Sequence, residues 1–136
     1  MPDLKPELSE RSKYWIPKHR YYELKHYCLQ YLHWKKLYHS LEFKMEVKNG
    51  EVRSLNEERP VEKLAVIRSD CKRAMELVER TCKDATDELW EYLFKAVTEG
   101  LSYLQLQMLY EMPCGKDMYY DVYRKFFYIL SQRRGI

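Results

Sequence analysis

From Leu24 onward the apolar and aromatic positions recur at alternating steps of three and four, through Tyr27, Tyr31, Trp34, Tyr38, Leu41 and Met45. That spacing gathers them on one stripe of a helix. It predicts a long amphipathic helix over about 18–46, with Pro17 in the first turn, where a missing N–H leaves no bond unmade. Asn49-Gly50 supplies a left-handed stop, and the charged run that follows reads as an exposed connector. A second stripe, Val61, Leu64, Cys71, Met75, Val78, Cys82, Ala85 and Leu89, is broken only by Arg68 and predicts a helix over about 60–83, with Pro60 at its first position. Two such helices joined by a connector should fold back on each other, stripe against stripe.

The pattern shortens after Asp84. Leu89, Tyr92, Leu93, Ala96 and Val97 outline a short helix over 88–97, stopped at Gly100. Ser102 is placed to cap a helix over 103–111, Met112 to Lys116 form a turn, and Asp117 is placed to cap a last helix over 118–133. The inward set of that helix is read as Met118, Val122, Phe126, Ile129 and Leu130. Its outward set is Lys116, Tyr119, Tyr120, Tyr123, Arg124, Lys125 and Tyr128. The chain is therefore expected to be all-α: a long antiparallel helical hairpin followed by a C-terminal helix-turn-helix three-helix unit. The segments are 1–13 as a flexible tail, 14–83 as the hairpin and 84–136 as the helix-turn-helix-like domain.

Composition agrees with helices. Apolar residues make up 46% of 136, with only 4 Gly and 5 Pro, too few turn residues for a strand-rich fold. The net charge of +3 is unevenly spread, with ten Lys/Arg against six Asp/Glu in residues 1–50, nine against twelve in 51–100 and five against three in 101–136. Basic ends flanking an acidic middle lean toward a polyanionic partner. Cys28, Cys71, Cys82 and Cys114 have no C-x-x-C spacing, and no apolar N-terminal run marks a signal peptide. Free thiols in a reducing, cytoplasmic setting are expected, without a membrane span.

Catalysis and metal binding find little support. No P-loop, G-x-S-x-G, dinucleotide fingerprint or H-E-x-x-H occurs, and the carboxylates fall on faces read as exposed, so no enzyme and no cofactor are expected. His19, His26 and His33 are seven residues apart, about 10 Å along a helix, too far for two of them to share one zinc; with His39 also present, a metal site would still need other ligands. No metal site is expected.

The order of the last three helices is that of a helix-turn-helix domain. Cations and planar donors on the last helix suit phosphates and base edges. The stretch AVTEGLSYLQLQMLYEMPCGKDMYYDVYRKFFYIL resembles the C-terminal segment of small phage and prophage proteins related to region 4 of bacterial sigma factors. The preceding KYWIPKHRYYELKHYCLQYLHWKKLY, charged connector and PVEKLAVIRSDCKRAMELVE are similar in layout to phage late-gene activators of the ArpU and RinA kind. The resemblance covers most of residues 14–133. It implies a DNA-binding transcription regulator working on double-stranded DNA, with RNA polymerase as a further contact, as a monomer or homodimer. By position it implies DNA contacts at Lys116, Tyr120, Arg124, Lys125 and Tyr128, with Ser102 through Tyr110 as the supporting helix. The turn Met112 to Lys116 departs from the pattern, being longer than the usual three or four residues and containing Pro113. Two other readings fit the same elements: a phage small-terminase-like DNA-packaging factor, and a helical protein-protein adaptor that does not bind DNA.

Overall fold

A computed structural model describes residues 12–50 and 61–135, with side chains at 12–44 and 61–135. The expected tail up to residue 11, the connector over 51–60 and the Met45 side chain lie outside the described residues. The described residues form six α-helices and no strand: α1 Lys18–Cys28, α2 Tyr31–Gly50, α3 Val61–Ala85, α4 Trp90–Glu99, α5 Tyr103–Tyr110 and α6 Lys116–Arg134. No described helix is long and apolar enough to cross a membrane.

The single helix expected over 18–46 is two helices. α1 ends at Leu29, whose amide reaches the Lys25 carbonyl, while the Gln30 amide turns to Tyr27. No Gly or Pro stands at 29–30; the residues on either side of the break belong to different compact units, and tertiary packing overrides helix propensity there. One unit holds the described residues up to Gln30 together with those from Val78 onward, and the other is Tyr31–Leu77. This corrects the expected division at residue 83: α1 and the last turns of α3 belong with the C-terminal helices.

In the unit Tyr31–Leu77, Tyr31 and Leu41 of α2 and Leu64, Cys71 and Met75 of α3 are buried, while Trp34 is half-buried. Arg68, the one interruption in the α3 stripe, stacks its guanidinium 3.8 Å from the Tyr38 ring centroid and donates to the Tyr38 carbonyl at 3.3 Å. It also pairs with Glu42 at 3.4 Å. The charge that breaks the stripe thus ties α3 to α2, its stem lying on apolar surface.

In the other unit, α1 buries Tyr21, Leu24 and Cys28, spaced three and four apart, and packs against α4 and α6. Tyr21 meets Phe127 edge-on at 5.1 Å, and Phe127 meets Phe126 at 4.8 Å and Tyr123 at 4.9 Å. Such edge-to-face pairs add to the area the rings bury. The C-terminal turns of α6 are latched by charge. Arg20 of α1 donates to the Ser131 hydroxyl and carbonyl at 3.1 and 3.0 Å. Arg133 reaches the buried Thr81 hydroxyl at 3.1 Å and pairs with Asp84, and Arg134 lies 3.7 Å from the Tyr27 ring.

Candidate nucleic-acid interface

α4, α5 and α6 share a core of Leu89, Ala96, Leu106, Met112, Tyr119 and Tyr120, with Tyr92, Leu101, Tyr103, Cys114, Val122 and Tyr123 packed around it. The junctions between them follow the sequence closely. Gly100 closes α4 at φ +72°, returning its amide to the Ala96 carbonyl, a left-handed geometry that favours glycine. Ser102 and Gln105 form a reciprocal capping box: the Gln105 amide donates to Ser102 Oγ at 3.1 Å, and the Ser102 amide donates to Gln105 Oε1 at 2.8 Å.

The turn 111–115 is pinned to α5. Glu111 takes a left-handed φ of +52°, and Met112 is buried. Gln107 Nε2 donates to the Met112 carbonyl at 2.8 Å and to the Tyr103 hydroxyl at 2.7 Å, with the Cys114 carbonyl at 3.3 Å. Tyr103 in turn donates to the Cys114 carbonyl at 2.7 Å. This staple orders a turn longer than the usual helix-turn-helix connection. α6 then starts at Lys116 with Gly115 as its N-cap, so Asp117 sits inside the first turn rather than capping it. There its carboxylate faces the positive end of the helix dipole.

The face that α6 buries differs from the expected one. Tyr119, Tyr120, Phe126, Phe127 and Leu130 are inside, whereas Met118 is 56% exposed. Tyr120, expected on the DNA-facing surface, is only 7% exposed, with its ring T-shaped against Tyr119 at 5.2 Å and Tyr123 at 6.1 Å. Tyr119 is a core phenol whose acidity falls because burial disfavours the phenolate, with Tyr120 and Tyr21 beside it. Tyr123 is half-buried and hydrogen-bonded to the Tyr21 hydroxyl at 2.7 Å. Two stripes compete on this helix, and the one with more ring area wins the core.

Of the expected contact residues, Lys116 is exposed, and Arg124, Lys125 and Tyr128 are half-buried. Lys116 hangs over the Tyr120 ring at 6.0 Å, and the Tyr128 ring lies 5.7 Å from Tyr14. Lys116 and Arg124 border a shallow depression with Asp117, Met118, Tyr120 and Asp121. No ion pair among the described residues engages Lys116, Arg124 or Lys125, whereas Arg133 is already bound to Asp84. Sequence reasoning missed Met118 and Asp121, which stand outside beside Lys125. Their signal was the three-and-four spacing of Met118, Asp121 and Lys125 on the side away from the rings.

Among the described residues no group of His, Cys, Asp or Glu is placed to hold a metal ion. His33 lies on α2, a different helix from His19 and His26. The cysteines are free; Cys28, Cys71 and Cys82 are buried and Cys114 is half-buried. Burial raises the thiol pKa of Cys28 and Cys82, which holds both protonated. No protein-family model, curated protein or solved structure matches the chain.

Proposed function

We propose that the chain is a DNA-binding transcription regulator whose α5–turn–α6 segment engages duplex DNA, in the manner of the phage sigma-region-4-like proteins it resembles, with RNA polymerase as a further contact. The observation that carries the reading is the first half of α6, where Lys116, Arg124 and Lys125 enter no ion pair among the described residues, behind a turn stapled to α5. Cations left unpaired on a rigid helix suit phosphates. Asp121 beside them has the chemistry to accept from a cytosine amino group in the major groove. Tyr120 acts as a platform beneath Lys116 rather than as a DNA contact.

The test is fluorescence anisotropy of the full chain on a 30-base-pair duplex across salt concentrations. Three phosphate contacts predict a slope of log affinity against log salt of about −2.7, and Arg124→Ala should lower its magnitude by about one contact's share. Binding that ignores salt, or no binding at low salt, would remove α6 from DNA. A second reading, the helical adaptor, is favoured by one observation: α5 carries no charged residue along its length, YLQLQMLY, and leaves large aliphatic side chains in solvent.

A further inference from the structure

The last turn of α1, the end of α4, the start of α5 and the ring-bearing face of α6 surround a cavity of about 360 Å³, at the small end of the range of small-molecule sites. All four helices lie in one compact unit. Much of the wall is aromatic, with Tyr119, Tyr120 and Phe127 buried and Tyr123 half-buried. The polar groups beside these rings are mostly donors. Lys25, half-buried, brings a positive charge. The Ser102–Gln105 capping box occupies the amides of those two residues, which leaves the amides of Tyr103 and Leu104, both in the wall, without a bond among the described residues. Tyr119 is 1% exposed, yet its hydroxyl meets no hydrogen-bond partner among the described residues. A buried orphan donor is rare and calls for a partner. Among the described residues, no Asp or Glu lines the cavity.

We propose that this cavity binds a small planar aromatic anion, a monocyclic or bicyclic aryl carboxylate, its ring among the tyrosines and Phe127. The walls select the class by exclusion. Ring faces and edges suit a planar body. They would also suit a cation, but the wall holds an ammonium and no carboxylate, so a second positive charge is repelled. A neutral apolar body fills the volume and leaves the α5 amides and the Tyr119 hydroxyl unbonded. A carboxylate brings the acceptors that those donors lack and the charge that Lys25 favours, and the start of a helix is where backbone amides and dipole together favour an anion. Lys116, Arg124 and Lys125 are outside the wall, so the site does not depend on α6 touching DNA and the two readings fail separately.

The experiment is equilibrium dialysis of the full chain against naphthoate, with a Kd on the order of 100 μM expected for a ligand of that size. Naphthylmethylammonium, of the same shape and opposite charge, should bind about tenfold more weakly or worse. Lys25→Gln, at a half-buried position that tolerates the change, should weaken naphthoate about fivefold. Tyr119→Phe should weaken it by about the same factor while the melting temperature holds or rises, because the deleted hydroxyl had no partner in the chain. A merely structural Tyr119 would instead lower the melt and leave the naphthoate affinity in place. Two variants are used so that one failing to fold leaves the other as the reporter. No binding at up to about 5 mM naphthoate overturns the inference. So does equal affinity for the ammonium, or an affinity that neither substitution changes.

Discussion

Removing the amide of Gln107 isolates the staple that orders the α5–α6 turn. Gln107→Met keeps the length, the aliphatic stem and the helix propensity of the side chain while deleting the bonds to the Met112 carbonyl and the Tyr103 hydroxyl. Each hydrogen bond contributes about 1 kcal/mol net, and the Met112 carbonyl loses its Gln107 donor in a partly buried site, so the expected loss is about 2 kcal/mol. For a chain of this length that lowers the melting temperature by roughly 6–10 °C. Tyr103→Phe, which deletes the hydroxyl bonded to the Cys114 carbonyl, should cost about 1 kcal/mol. Because the two side chains also bond each other at 2.7 Å, the double variant should depart from the sum of the singles by at least about 0.5 kcal/mol. Thermal melts followed by circular dichroism read all three. A Gln107→Met melt within about 1 °C of wild type, or strict additivity in the cycle, would show that the turn is ordered without the staple.

Gly100→Ala should destabilise by about 1 kcal/mol in urea unfolding, through the left-handed φ of +72° alone, because the new methyl would meet Leu29 Cδ2 at an ordinary 3.4 Å. A loss above about 3 kcal/mol would mean that the site is tighter than that distance indicates. Thiol labelling of the native chain should proceed first at half-buried Cys114 and reach Cys28 and Cys82 only at the rate of unfolding, since burial both blocks those thiols and holds them protonated. The gap should persist as pH rises through the ordinary thiol range, because the thiolate of a raised-pKa group appears only above it. Four equal labelling rates at pH 8 would contradict the burial of Cys28 and Cys82.

Where a boundary was written in local chemistry, it was legible. Gly100 needs a positive φ, and Ser102 with Gln105 three residues on is a capping box in both directions, so the loop between α4 and α5 could be placed to within a residue or two. α3, expected over 60–83, runs Val61–Ala85 for the same reason: one clean stripe with one exception. The break at Leu29 and Gln30 had no such mark, because neither residue opposes a helix and the stripe from Leu24 to Leu41 reads continuously through it. What separates α1 from α2 is the packing of Tyr21, Leu24 and Cys28 in the unit with α4 and α6, a long-range event with no trace in the local pattern.

The misplacement on α6 has a different origin, and it changes which residues of the helix face outward. Tyrosine satisfies both readings of a helix face, because its ring rewards burial and its hydroxyl tolerates water. Grouping Tyr119, Tyr120 and Tyr123 with the cations made Met118, Val122 and Ile129 the apolar side by default. In the folded chain the rings join Phe126, Phe127 and Leu130 in one continuous face that also receives Tyr21 from α1. Phe126 and Leu130 belong to either choice, so they could not arbitrate; only the aromatic α1 beside them does. Turning the rings inward leaves Met118 and Asp121 outside, next to half-buried Lys125, so the DNA-reading surface proposed above would centre on Asp121 and Lys125, with Lys116 and Arg124 along one edge, and would mix both charges. On the proposed reading, a surface of that kind would bind polyanions weakly through net charge and would discriminate through the placement of individual groups, a placement that depends on the staple from Tyr103 and Gln107 that fixes where α6 begins.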